Sequence, residues 1–431
     1  MNDNFRDLIG TLRAKFRTSI VETKVAESYF FMTVQNIGSF AIGLLLYSYT
    51  VRTIGVELYG LYVFTSSIIT YCVTFVDFGF HIPTAKAVID NRDDKAALSR
   101  IVSRVIEAKL LLIVPIGACL AICVASIDSL REHWQVFVLL FLQPIGQIFS
   151  TTWYYWGLKK LRTTTIVTLA VRLLSIPLIL LLVRGEDDFL RYIAIVSACQ
   201  FIALVVPLIV AIVRDGLHLH FVGLREVWQH TKECAPFFFN NCFDSIKDVT
   251  LPIIIGLFLG MRDVAIYNLG DKIIFILLMF CNNINAALYP EFVDKANDEM
   301  VRKMTKYEII IGIVAMAMVA AVGYYAVLLL GGEDMTMAYP IAMILSVRIL
   351  SYLYIEIKNK FIFIPRGRYI NITIRQAFTT VLSVTACYVG LSISPTIIMA
   401  ASLTAVTYVL EMLFCRYLAR RTPYVEYKKS T

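Results

Sequence analysis

Twelve apolar stretches, each about long enough to cross a bilayer, run from Tyr29 to Tyr417. A hydrocarbon core leaves no backbone polar group unpaired, so each stretch of roughly 20 apolar residues must be a helix. The expected spans are 28–51, 60–82, 105–127, 134–157, 163–183, 190–213, 236–260, 265–288, 307–330, 337–357, 370–391 and 396–418. The gaps between them sort by charge. One alternate set, with both termini, holds 29 of the 40 Lys and Arg residues, and the other set holds only Arg52, Arg131, Arg184, Arg191 and Arg262. Short cytoplasmic loops carry the basic excess, so both termini are expected in the cytoplasm. The formal net charge of +8 is then a matter of orientation and gives no ground for nucleic-acid binding.

A composition of 58% hydrophobic and 17% charged residues leaves too little polar surface for a water-soluble fold. The expected fold class is an all-α integral membrane protein of about 12 transmembrane helices. Residues 1–27 lack a signal-peptide core; Phe5, Leu8, Ile9, Leu12 and Phe16 follow helical spacing among basic residues, as in an amphipathic helix lying on the cytoplasmic leaflet. Spans 1–6 (28–213) and 7–12 (236–418) form two six-helix lobes, joined by a cytoplasmic linker at 214–235 and followed by a tail at 419–431. A weak repeat supports the division: Gly55, Tyr62 and Pro83 follow the first helix of one half as Gly260, Tyr267 and Pro290 follow that of the other. Nine cysteines without a C-x-x-C spacing suit small apolar residues better than disulfides or zinc.

Apart from Arg191 and Arg416 at span ends, counted with the gaps, six basic residues fall inside spans. Lys109 and Arg375 lie near cytoplasmic ends and are expected to snorkel. Arg172, Lys247, Lys272 and Arg348 lie deeper, and facing lipid they would cost together on the order of 10–14 kcal/mol. They must face a hydrated cavity or a counter-charge. Asp244 and Asp248 could neutralise Lys247, as Asp271 could neutralise Lys272, and either pairing could simply pin helices together. Arg172 and Arg348 have no acidic neighbour on their own helices. A cationic cavity between lobes selects an anion, for which Arg forks and Lys point charges suit phosphate oxygens. Asp244, Asp248 and Asp271 are candidates for coupling to protons or sodium. Asp77, Arg375, Asn240, Asn241 and Asn282 are secondary candidates, the amides for sugar hydroxyls. Trp153, Tyr154, Tyr155 and Trp156 read as an interfacial aromatic belt. No Walker A loop, metal-ligand spacing or nucleophile–base spacing occurs, so neither ATP nor an organic or metal cofactor is implied.

Three segments carry a family resemblance: Arg52-Thr53-Ile54-Gly55-Val56-Glu57-Leu58-Tyr59-Gly60-Leu61-Tyr62, then Val76-Asp77-Phe78-Gly79-Phe80, and Trp153-Tyr154-Tyr155-Trp156-Gly157-Leu158. Ile254 to Gly260, followed by Tyr267, fits a repeat of the first. The chain resembles Wzx-type O-antigen flippases of the polysaccharide transporter family, in the superfamily that also holds multidrug and toxin extrusion proteins and lipid II flippases. That resemblance implies a two-lobed bundle in the bacterial inner membrane. It also implies a central cationic cavity that moves undecaprenyl-diphosphate-linked oligosaccharide to the periplasmic leaflet, with membrane lipid and other polysaccharide-assembly proteins as partners. Trp156 stands where the family usually has Gln. Helix 1 lacks the charges of lipid II flippases, and no helix follows the twelfth. A drug or cation exporter should line its cavity with acid, and a polymerase or ligase needs a larger periplasmic loop than these short gaps. A scaffold without transport would have no use for the central charges.

Overall fold

The computed structural model describes the backbone of residues 3–293 and 298–421, and the side chains of residue 27 and of 30–421 apart from 240, 244, 248 and 283–298. Among the described residues every secondary-structure element is a helix. The long elements are α1 (Asp3–Ile54), α2 (Val56–Asp77), α3 (Lys95–Ser126), α4 (Trp134–Gly157), α5 (Arg162–Leu182), α6 (Phe189–Asp215), α7 (Leu224–Leu259), α8 (Met261–Val293), α9 (Asp298–Gly331), α10 (Ala338–Phe363), α11 (Tyr369–Ile393) and α12 (Ile397–Arg420). Eleven helices of the described residues are long and apolar enough to cross a bilayer, each overlapping one expected span. The remaining expected span, 236–260, lies within α7.

The expected cytoplasmic amphipathic helix and the first span share one continuous helix, α1; the side chains of residues 3–26 lie outside the described set. Two helices are interrupted. α4 breaks at 149–151, and α10 passes into a π-helical turn at Asn359–Phe363 before ending. Many large apolar side chains point outward, among them Leu45, Val114, Val213, Leu329 and Ile393. In water such a surface would aggregate, whereas lipid covers it at no cost.

The chain divides into two compact units. The first comprises residues 1–46, 75–182 and 192–238, and the second 47–74, 183–191 and 239–431. The first is built on a buried cluster that includes Val76, Phe80, Val102, Val105, Trp153, Tyr154 and Tyr155. These aromatics therefore form core: Trp153, Tyr154 and Tyr155 are each 1% exposed, and of the four only Trp156 is open. The belt expected there gives way to packing, because Tyr154 Oη donates to Asp215 at 3.1 Å and Tyr155 Oη to the Pro207 carbonyl at 2.8 Å. Cys234 is buried in the same cluster, while Cys119 and Cys123 are exposed on α3 and all nine cysteines are free thiols.

In the second unit the sequence repeat has a structural counterpart. α1 and α2 are separated by the single residue Gly55, with φ +84°, and α7 and α8 by the single residue Gly260, with φ +98°. Both φ values lie in the left-handed region, where a side chain is strained. Gly60, one turn into α2, abuts the second of these turns so closely that a Cβ there would sit 1.7 Å from the Met261 carbonyl oxygen. The glycines of the motif are thus set by backbone geometry and by helix contact.

Candidate functional site

Three of the four deep cations meet in the second unit, in one connected network. Arg348 Nη1, on α10, donates to Asp271 Oδ1 on α8 at 2.7 Å. Its guanidinium lies over the ring of Tyr408 on α12, 5.1 Å from the centroid, and Lys247 on α7 approaches the same ring at 4.2 Å. Lys247 also pairs with Glu411, one turn along α12, and Glu411 pairs in turn with Arg375 on α11. At the other end, Lys272 follows Asp271 in sequence. Its ammonium donates to Tyr59 Oη at 2.8 Å and sits 4.0 Å from the centre of the Tyr47 ring.

The network therefore runs Arg375, Glu411, Lys247, Tyr408, Arg348, Asp271, Lys272, Tyr59. Among the described side chains it has four cations and two carboxylates. For Lys272 no described carboxylate lies within ion-pair distance, and phenol and ring faces take that role. Only its Arg375–Glu411 end is fully buried, where removing one partner costs roughly 3–5 kcal/mol, whereas Arg348 and Asp271 are partly open. A cavity of about 210 Å³ opens beside it, lined by Ser67, Tyr267, Asn268, Asp271, Arg348 and Tyr408. The Asn268 Oδ1 atom is buried without a hydrogen-bond partner among the described residues. Such a group is expensive unless something binds to it. At roughly 300–1,000 Å³ ordinary small-ligand sites are larger, so this space suits a phosphoryl-sized group and excludes a sugar chain.

Several expectations change. Arg348, without an acidic neighbour on its own helix, finds Asp271 on another. Lys247 pairs with Glu411 across helices; the side chains of Asp244 and Asp248, as well as Asn240, lie outside the described residues. Arg375 does not snorkel: it is 4% exposed and ion-paired. Neither does Lys109, which is fully buried in the first unit. There its ammonium donates to Asp77 Oδ1 at 2.9 Å and to the Gln147 carbonyl at 3.1 Å, while Gln147 Nε2 donates to the same Asp77 oxygen at 2.9 Å. Arg172 also belongs to the first unit, with Nη1 donating to the Ser39 carbonyl at 3.2 Å; it does not join the other three within one unit. Asn282 donates to Tyr352 Oη at 2.9 Å, an interhelical bond, and Asn241 is exposed.

Sequence reasoning missed Glu411 as the shared partner and the tyrosines Tyr47, Tyr59 and Tyr408 as the network's wall. The available signal was an acidic residue inside the twelfth span, a costly placement that calls for a cation.

A model of the family described as polysaccharide biosynthesis protein matches residues 25–295, which is more than half of the chain. The chain belongs to the polysaccharide biosynthesis protein family. Among relatives of this family member, the "Putative O-antigen transporter" of Escherichia coli strain K12 is 23% identical over 260 residues, 60% of this chain and 63% of that protein. The protein of the same name from Shigella dysenteriae is 23% identical over 202 residues, 46% of this chain and 50% of that one. The chain thus matches less than two thirds of the length of these relatives. Among solved structures, a multidrug resistance MATE family transporter of the MOP superfamily, in its inward-facing conformation, superposes with a TM-score of 0.67 at 14% identity, covering 90% of this chain and 95% of that one. A MATE crystal structure in complex with MaL6 gives 0.59 at 13% identity, covering 93% and 96%. At such identities the likeness establishes the fold: this member of the family is a multi-pass membrane protein of MATE-like architecture.

Proposed function

We propose that the chain is a flippase that moves polyprenyl-diphosphate-linked oligosaccharide units from the cytoplasmic to the periplasmic leaflet of the bacterial inner membrane. The observation that carries this is the Arg348–Asp271 pair on the wall of the 210 Å³ cavity. A diphosphate offers Arg348 and Lys272 more acceptor oxygens than Asp271 does, and charge-assisted bonds to phosphate are among the stronger available. Displaced from Arg348, Asp271 would be an unpaired carboxylate inside the membrane, which a proton or sodium ion neutralises; that exchange couples ion to cargo. Asn268, with its unsatisfied amide oxygen, accepts a hydrogen bond from the first sugar. The sugar chain itself exceeds this cavity, so cargo binding requires the site to open. Lys247, Arg375 and Glu411 then set the charge balance around Tyr408. The E. coli relative's name supports the cargo class.

The test is flipping of a fluorescent polyprenyl-diphosphate oligosaccharide by the purified protein in vesicles, read as protection from an external quencher. The chain should flip it at a rate that falls at least tenfold in Arg348→Ala, with Arg348→Lys intermediate. Equal rates in wild type and the alanine variant would remove Arg348 from the site, and absence of flipping by the wild type under an ion gradient of either kind would sink the reading.

A further inference from the structure

A second polar cavity, of about 280 Å³, lies in the first unit at the basic-loop face, where α4 ends, α5 begins, α6 ends and α1 passes. Its charged lining is Lys159, Lys160, Arg162 and Arg214 against Glu27 and Asp215. Asp215 is already engaged, by Tyr154 Oη at 3.1 Å and Lys160 Nζ at 3.4 Å. Among the described residues neither Arg162 nor Arg214 has a carboxylate within ion-pair distance. The cavity is also bordered by Phe31 and Val210, each at the edge of an apolar span. Its lining joins basic and apolar residues, the chemistry that a lipid headgroup and the start of its chain require.

The backbone gives an independent reason to see function here. α4 closes in a Schellman turn: Lys160 N–H donates to the Tyr155 carbonyl at 2.8 Å and Lys159 N–H to that of Trp156 at 3.1 Å. The residue at the left-handed position of this turn is ordinarily glycine. Here it is Lys159, with φ +56°, a conformation that costs a residue with a Cβ about 1 kcal/mol or more. A strained lysine at the mouth of a basic cavity is a cost that ligand binding can offset.

We propose that this cavity binds the phosphate of a lipid headgroup at the cytoplasmic leaflet, held by Lys159, Arg162 and Arg214 and assisted by the amino-terminal dipole of α5. Two lipids carry that chemistry: an anionic phospholipid of the bilayer, and the diphosphate of the cargo. Only the second depends on the flippase reading.

The full chain in neutral detergent, with phosphatidylglycerol, farnesyl diphosphate and uncharged diacylglycerol as probes, tests the site by native mass spectrometry. Wild type should bind one or both phosphate lipids and not diacylglycerol. Lys159→Gly, and Arg162→Gln with Arg214→Gln, should each weaken that binding at least tenfold. Lys159→Gly should meanwhile keep or raise the thermal midpoint, since glycine relieves the turn; loss of binding in a protein at least as stable separates a ligand contact from a structural one. Phosphatidylglycerol alone would identify a bilayer lipid, and farnesyl diphosphate alone the cargo headgroup. Phosphate lipids bound equally by wild type and variants, or by none of them, would overturn the site. Neither result bears on Arg348, so the two proposals fail separately.

Discussion

Each compact unit holds a buried charge cluster, and the two are built on opposite principles. In the first unit, Lys109 is fully enclosed and shares one carboxylate, Asp77, with the amide of Gln147, so one cation meets one anion with hydrogen bonds to spare. In the second, Glu411 serves two cations, Arg348 spends one face on Asp271 and another on Tyr408, and Lys272 relies on phenols. The first arrangement has no vacancy for a ligand and acts as an internal staple. The second borders open space. Membrane charges are costly in either setting. What separates the two clusters is access to that space.

Breaking the staple should produce the largest effect. Lys109→Ala strands Asp77 and should cost roughly 3–5 kcal/mol, seen as a collapse of the folded fraction on fluorescence-detected size exclusion, with any residual flipping tracking protein level. Arg348→Ala should do the reverse: folded protein near wild-type amount and flipping down at least tenfold. If both variants instead lose protein and activity together, the contrast between the clusters fails. A smaller change is expected for Tyr59→Phe, which removes one hydrogen bond to Lys272, worth about 1–2 kcal/mol. Its flipping rate should drop several-fold without a change in thermal midpoint beyond a few degrees.

The smallest effect concerns pH. His230, near the start of α7, stacks on Phe80 and approaches Thr84 Oγ1 at 3.3 Å. Burial, reinforced by Arg104, holds its pKa down at about 4. The folded state therefore keeps this ring neutral while the unfolded chain takes up a proton below about 6.5. Stability from this group is complete above that value and is lost as pH falls towards 4. The thermal midpoint should drop by a few degrees between pH 7 and 5, and His230→Asn should flatten that dependence.

Much of the fold was legible because a bilayer imposes a simple code. Apolar length gave the spans, and eleven coincide with helices long and apolar enough to cross a bilayer; the other lies within α7. The glycine–tyrosine repeat also carried meaning, since Gly55 and Gly260 occupy equivalent one-residue turns. The deep cations could be found by what they cost, but not matched to their partners. Lys247 meets Glu411 across 164 positions of chain and Arg348 meets Asp271 across 77, and pairing at such separation is decided by which faces two helices turn to each other. Snorkelling of Lys109 and Arg375 was a sound default for an end of a helix exposed to lipid. It failed because these ends are covered by other helices carrying Asp77 and Glu411.

The one-residue turns at Gly55 and Gly260 carry a mechanical consequence. A helix pair joined by one residue has a single φ, ψ pair through which one rod can swing relative to the other, so each joint is a two-angle linkage. Gly60 leaves no clearance beside the second. If the site around Arg348 opens as proposed, such joints would turn that opening into rotations of whole helices, with little slack to absorb it locally.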